Sequence, residues 1–264
     1  ADISSRSIDV LATAHIILAE DTRNTRHLLN NLKIKIPRLQ SYHDHSEKRA
    51  VEMVISKICS GQIVALVSDA GTPLISDPGY RLVVAAHLAK CKVIPIPGPC
   101  AAITALSASG LPTDRFHFEG FLPEKTAARK RRLRALCKER STLIFYEAPH
   151  RLLNTLSDCI EIFGGNRRSF FARELTKIHE TLLPLTLSEL HILVQGDANQ
   201  TRGELVLLVA GSRDTSFSLS PELTILAEKL CQDLSKKRVS VLISEYSGLP
   251  RKQIYNYLLN SVAS

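Results

Sequence analysis

The sequence predicts an α/β protein: two α/β domains with a small helical domain at the carboxyl end. Three observations point there. Short apolar, β-branched runs alternate with stretches of helical periodicity at the pitch of strand–helix–strand crossovers, which implies a parallel sheet. Turns dense in glycine and proline follow the carboxyl ends of those runs. The pattern breaks at 109–114 and again in a polar linker at 212–220, after which the chain reads as helix throughout. The expected domains are therefore 1–112, 113–212 and 213–264.

In order, residues 14–19 form a buried strand that ends in the polar Glu20-Asp21-Thr22-Arg23, and 25–32 a short helix. A second helix, 47–60, places Val51, Val54, Ile55 and Ile58 at helical spacing, with Gly61 as its stop. Residues 63–67 lack polar alternation, as in a strand covered on both faces. A helix at 79–89 and a strand at 92–96 complete the first part. The second part opens with 116–121, continues through a basic helix to a strand at 142–146, and then to a helix at 151–163 closed by Gly164-Gly165. Strands at 169–173 and 204–209 flank a helical stretch at 188–194. In the tail, 239–246, the turn Ser247-Gly248-Leu249-Pro250 and 251–259 have helix-turn-helix proportions.

Composition narrows the function. No run of about 18 uncharged apolar residues is available for a membrane span. The first residues lack the basic start and apolar stretch of a secretory signal. Six scattered cysteines without a CxxC pair fit neither a disulfide framework nor a zinc site, and reduced thiols in the cytoplasm are the expectation. Thirty-four Lys and Arg against 26 Asp and Glu give +8. The surplus is concentrated in KTAARKRRLRALCKER, from Lys125 to Arg140, and in Lys236-Lys237-Arg238. One such run is as well explained by a solvated helix face; two favour a phosphate backbone as partner.

The densest turn chemistry is Ser68-Asp69-Ala70-Gly71-Thr72-Pro73, followed by Leu74-Ile75-Ser76-Asp77-Pro78-Gly79. It leaves the carboxyl end of a predicted parallel strand, where open α/β sheets bind ligands. Pro95-Ile96-Pro97-Gly98-Pro99-Cys100-Ala101-Ala102 repeats the theme before a helix of small residues. No GxGxxG or GxxxxGK[ST] is present, so neither a dinucleotide nor a P-loop nucleotide is implied. Small neutral groups with a few acids suit a neutral or cationic ligand. Acid–base pairs recur at strand ends in Glu20 to Arg23, Tyr146-Glu147 and Arg173-Glu174-Leu175-Thr176-Lys177. Each alone reads equally well as a surface ion pair; together they offer a general base and orienting cations.

AEDTRNTRHLL, SYHDHSEKR, ALVSDAGTPLISDPGYRLV, PIPGPCAAITALSASGLPTDRFHFEGFLP, TLIFYEAPHRL, ARELTKIHE and RGELVLLVAG run through nearly the whole chain. Together they closely resemble the tetrapyrrole methylase family of S-adenosylmethionine-dependent enzymes, in its branch acting on ribosomal RNA. The resemblance implies two α/β domains with the donor in the cleft between them, a homodimer, and methylation of a cytidine ribose 2′-hydroxyl in small-subunit (16S) ribosomal RNA. The substrate would be the free RNA or the assembled 30S subunit. Family members begin with a further strand and a loop resembling PTPIGNLxDIS, whereas this chain opens at Ala1-Asp2-Ile3-Ser4. The first domain is therefore expected without its first strand.

Carried onto matching positions, the resemblance suggests donor contacts at Ala70, Gly71, Thr72, Ile75, Cys100, Ala101, Tyr146, Glu147, Leu175 and Thr176. Asp21, Asp69 and Lys177 are the candidate bases, and no metal is expected. Arg129, Lys130, Arg131, Arg132 and Arg134 would grip RNA phosphates beside the cleft. Lys236, Lys237, Arg238, Arg251 and Lys252 would do so from the tail. Phe116, Phe118, Phe121 and Tyr146 are available for base stacking, although core packing accounts for most of them. Two other readings stay open: a C-methyltransferase of a tetrapyrrole precursor, and a non-enzymatic nucleic-acid-binding regulator built on the helix-turn-helix.

Overall fold

A computed structural model describes residues 2–43, 48–213 and 219–261, in two compact units, Ala1–Ser212 and Arg213–Ser264. Positions 44–47 of the SYHDHSEKR block, the last of them also the first of the expected second helix, and 214–218 of the expected linker lie outside the described residues.

The first half of the larger unit runs α1 (Ser5–Thr13), β1 (Ile16–Ala19), α2 (Thr22–Asn31), β2 (Arg38–Ser41), α3 (Lys48–Cys59), β3 (Val64–Val67) and α4 (Tyr80–Leu88). The strands form a parallel sheet in the order β2-β1-β3, with Ile16 opposite both Arg38 and Val64. Alternation along β1 decides the packing. Ile16 and Leu18 face Val51, Val54 and Leu82 of α3 and α4, while Ile17 faces Leu11 and Leu29 of α1 and α2. Both faces of β1 are therefore covered, as its continuous apolar run requires. Three helices end alike. After α2, α3 and α4 the chain turns through Lys33 (φ 55°), Gly61 (φ 88°) and Lys90 (φ 57°). The backbone then closes back on the last turn, as when Lys90 N donates to His87 O and Cys91 N to Ala86 O, both at 2.9 Å.

The second half comprises α5 (Ala101–Ala108), β4 (Phe116–Phe121), α6 (Thr126–Leu136), β5 (Thr142–Glu147), α7 (Leu152–Phe163), β6 (Arg168–Arg173), β7 (Thr181–Thr186), α8 (Leu187–Gly196) and β8 (Leu205–Val209). Its sheet has the order β4-β5-β8-β6-β7; β4 and β5 are parallel and the other pairs antiparallel. Leu143, Phe145, Phe171 and Leu207 point to a core shared with α6, α7 and α8. Ile144, Phe170, Val206 and Leu208 point to the other face, which Ala102, Ala105 and Leu106 of α5 cover. α5 thus packs on the second sheet.

Four elements depart from expectation, and the first is α1, which forms where no element was expected. No strand forms at 92–96, where Pro95 lacks the amide proton a ladder needs. β2 and β7 form without a sequence signal. The first reads Arg-Leu-Gln-Ser, and the second carries Pro184, which its edge position tolerates.

The smaller unit holds α9 (Pro221–Asp233), α10 (Lys236–Ser247) and α11 (Arg251–Ser261) around Leu219, Ala227, Val239, Ile243, Ile254 and Leu258. Gly248, at φ 71°, turns α10 toward α11, as the helix-turn-helix reading expects.

Candidate functional site

The two glycine- and proline-bearing turns meet. Thr72 Oγ1 donates to Pro99 O at 2.9 Å, and Ser68 Oγ braces its own turn by donating to Gly71 O at 3.2 Å. Gly71, at φ +78°, holds a backbone conformation that side chains disfavour, and a Cβ would press on Pro99 O at 3.3 Å. Downstream, Leu74 (φ 73°) and Ser76 (φ 68°) hold the left-handed backbone that side chains disfavour. Such strain persists where surrounding structure imposes it, and it concentrates at functional sites. Ser76 reaches the second half: a Cβ on Gly120 (φ +69°), at the bulge of β4, would lie 3.1 Å from Ser76 Oγ. The expected turns therefore lie together, beside the second sheet.

Tyr146 reaches the start of α5, just after the second turn. Its hydroxyl accepts from Ala102 N, at the start of α5, at 3.2 Å. Burial and the neighbouring Cys100 push its phenol up to about 12, so it stays protonated. Phe118 and Phe121 meet its ring edge-on, with centroids 5.0 and 5.7 Å away. Cys100, Ala101 and Leu175 pack, as Tyr146 does, against the core face that α5 covers. Thr176, at φ 63°, donates from Oγ1 to Asp2 Oδ2 at 2.7 Å, while Ser4 Oγ reaches Pro97 O at 3.4 Å. The amino-terminal segment thus touches both the loop after β6 and the second turn. Ala70, Gly71, Thr72, Ile75, Cys100, Ala101, Tyr146, Leu175 and Thr176 are carried by these adjoining segments.

Glu147 differs. The two-residue period of β5 sends its side chain to the face away from Tyr146. There it is buried, accepting from Thr155 Oγ1 and Ala148 N and lying 3.3 Å from Arg151 Nε. Only its backbone faces the site.

Acids gather at the carboxyl ends of β1 and β3. Asp69 Oδ1 accepts from Asp21 N at 3.1 Å and Oδ2 from Asn24 Nδ2 at 3.0 Å, while Glu20 Oε2 accepts from Asp69 N at 3.3 Å. Asp21 caps α2 and grips Arg23, which holds its carboxyl down at about 2. Burial pulls the Lys177 ammonium down, but Glu174 at 2.9 Å and Glu204 at 3.3 Å outweigh it, and the net direction is upward. Asp21 therefore holds a proton poorly, and Lys177 gives one up poorly. The residue sequence reasoning missed is Asp77. Burial, with Glu20 and Asp69 adding, pushes its carboxyl up to about 6 against the pull of Ser68. Its signal was present in Ser76-Asp77-Pro78-Gly79, an acid inside the same turn.

The basic helix is largely neutralised. Arg129, expected on the RNA, is instead 3% exposed; it donates to Asp158 Oδ2 at 2.6 Å and to Glu124 O at 3.0 Å. Lys130 pairs with Glu161 at 2.5 Å, and Arg132 grips Glu119 in two bonds of 2.5 and 2.7 Å. Arg131 and Arg134 are exposed, Arg134 lying 3.7 Å from Glu161. In the smaller unit Lys237, Arg238, Arg251 and Lys252 are exposed, while Lys236 is half-buried. A cavity of about 480 Å³ lies at the other ends of β4 and β5, among Asp114, Arg115, Lys138, Glu139 and Arg140, and takes no part in the turns.

This arrangement can be set beside known proteins. The chain is 47% identical to ribosomal RNA small subunit methyltransferase I of Pseudomonas aeruginosa, over 98% of this chain and 92% of that one. It is 46% identical to the protein of that name in Vibrio cholerae, over 99% and 91%. Uroporphyrin-III C-methyltransferase of Thermus thermophilus, solved with S-adenosyl homocysteine, shares the fold: the TM-score is 0.53 at 15% identity, over 79% of this chain and 90% of that one. Residues 1–191 match the family model of the tetrapyrrole (corrin/porphyrin) methylases, and the chain belongs to that family.

Proposed function

We propose that this chain transfers the methyl group of S-adenosylmethionine to the ribose 2′-hydroxyl of a cytidine in small-subunit ribosomal RNA. The observation that carries the reading is the Thr72–Pro99 bond, which locks the two turns beside Tyr146 and the start of α5. Near-full-length similarity to relatives named for that RNA supports the substrate. The residues fit the donor. Ala101 is small and only partly buried at the start of α5, and the nearby acids Asp69 and Asp77 suit a positive charge.

When bound, the donor supplies a sulfonium-activated methyl group. The protein's share is alignment, worth about 7–11 kcal/mol in favourable cases, and removal of the hydroxyl proton, worth about 10²–10⁴-fold. We assign the proton to Asp77 in preference to Asp21, Asp69 or Lys177. Ionised at neutral pH, it still holds a proton far more tightly than Asp21 does. Exposed Arg131 and Arg134, with Lys237, Arg238, Arg251 and Lys252, offer charge to phosphates, and Phe116 and Phe121 are exposed for stacking.

The place of action is the cytoplasm, where small subunits are assembled, and the working form is a homodimer. Supporting the dimer, α4 presents Tyr80, Val84 and Leu88 along one face, 71%, 39% and 81% exposed. No helix among the described residues is long and apolar enough to cross a membrane.

Transfer of labelled methyl to isolated small subunits tests the activity, with the label expected on a cytidine ribose. Label on uroporphyrinogen instead would favour a tetrapyrrole substrate. Failure to bind labelled S-adenosylmethionine would leave the nucleic-acid-binding regulator.

A further inference from the structure

Cys59 and Cys91 stand apart from the site, with their sulfurs 3.7 Å from each other. Cys59 is the last residue of α3 and is exposed; Cys91 is half-buried just past α4. Both are held by their helix ends. Gly61 N donates to Ile58 O and Gln62 N to Lys57 O behind Cys59, and Cys91 N itself donates to Ala86 O. Helices α3 and α4 pack on the same face of β1, so the two ends are fixed relative to one another. The end of α3 leads into β3, whereas the turn bearing Thr72 leaves it, so Cys59 precedes the amino end of that strand and the Thr72–Pro99 bond follows its carboxyl end.

We propose that Cys59 and Cys91 are a redox-active dithiol that small-molecule disulfides oxidise to an intrachain disulfide. The sulfurs need approach by less than about 2 Å to reach bonding distance near 2.05 Å. The exposed Cys59 thiolate attacks one sulfur of the reagent, forming a mixed disulfide and releasing one thiol. Cys91 then attacks the Cys59 sulfur and releases the second thiol. Two protein thiols lose two electrons and two protons, and the reagent disulfide gains them as two thiols. Desolvation and the adjacent Cys59 raise the Cys91 thiol above its ordinary value, so Cys59 acts first and Cys91 resolves. The crosslink ties the start of the segment carrying Pro97-Gly98-Pro99 to the end of α3.

The test treats the fully reduced chain with oxidised glutathione and reads intact mass and non-reduced tryptic peptides. The expected product is two hydrogens lighter and carries one Cys59–Cys91 linked peptide. Cys91→Ser should instead trap a single glutathione on Cys59, and that variant should melt like the parent, since neither thiol lies in a core cluster. Glutathione adducts without the internal link, or a link between other cysteines in the still-folded chain, would overturn the proposal.

Discussion

The Thr72 hydroxyl donates to the carbonyl of Pro99 at 2.9 Å, so the turn leaving β3 and the turn entering α5 behave as one piece. A hydrogen bond of this kind contributes about 1 kcal/mol net. Thr72→Val keeps the shape and removes the donor. Calorimetric titration with S-adenosylmethionine should show affinity about fivefold weaker, with the circular dichroism spectrum unchanged.

Asp77 links pH to stability. Its carboxyl stands at about 6 when folded against 3.8 for the unperturbed group, so between those values the folded chain binds a proton that the unfolded chain lacks. Stability therefore falls as pH rises from about 4 to 6, then levels. Thermal melts across that range should show the slope, and Asp77→Asn should flatten it while being no less stable at pH 7. The same variant should lower methyl transfer about 10²-fold or more if Asp77 takes the hydroxyl proton.

Arginines two residues apart on α6 should behave oppositely. Arg129→Ala leaves the buried Asp158 carboxylate with Lys130 alone, at 3.5 Å, and should cost about 3 kcal/mol in denaturant unfolding. Arg131→Glu with Arg134→Glu should leave unfolding unchanged and weaken RNA retention in filter binding.

In the smaller unit, reversing Lys237, Arg238, Arg251 and Lys252 to Glu should reduce RNA affinity and leave donor affinity intact. The dependence of log affinity on log salt should flatten by about 0.7 for every phosphate of single-stranded RNA that the tail no longer neutralises. An unchanged slope would remove the tail from the RNA surface.

Leu88, 81% exposed on α4, is the point at which to challenge self-association. Leu88→Glu should move the sedimenting species from dimer to monomer without lowering the melting temperature. A parent chain that sediments as a monomer would rule out the homodimer.

What the sequence made legible follows from where the physics is local. β1, β3, β5, β6 and β8 are apolar runs that nothing but a covered sheet explains, and each appears where expected. Edge strands need less apolar surface, so β2 and β7 left no signal. Pairing partners are invisible in a charge count, which is why Arg129 and Arg132 read as free cations although Asp158 and Glu119 hold them. The two turns were legible because glycine and proline announce them. Asp77 was not singled out, because its character comes from burial and from Glu20 and Asp69, none of which adjoin it in sequence. The Glu147 side chain was the avoidable case: adjacent strand residues face opposite ways, so it cannot share a wall with Tyr146.

The final strand of the larger unit is also the middle one, since β8 lies between β5 and β6. During synthesis the ribosome must pass Val209 and release it from the exit tunnel before Ile144 and Phe170 gain the neighbour that bridges them. Until then two half-built ladders wait with open edges, and closing them is a late, long-range event. A nascent chain stalled before Leu205 is therefore the species from which misassembly or capture by chaperones should begin.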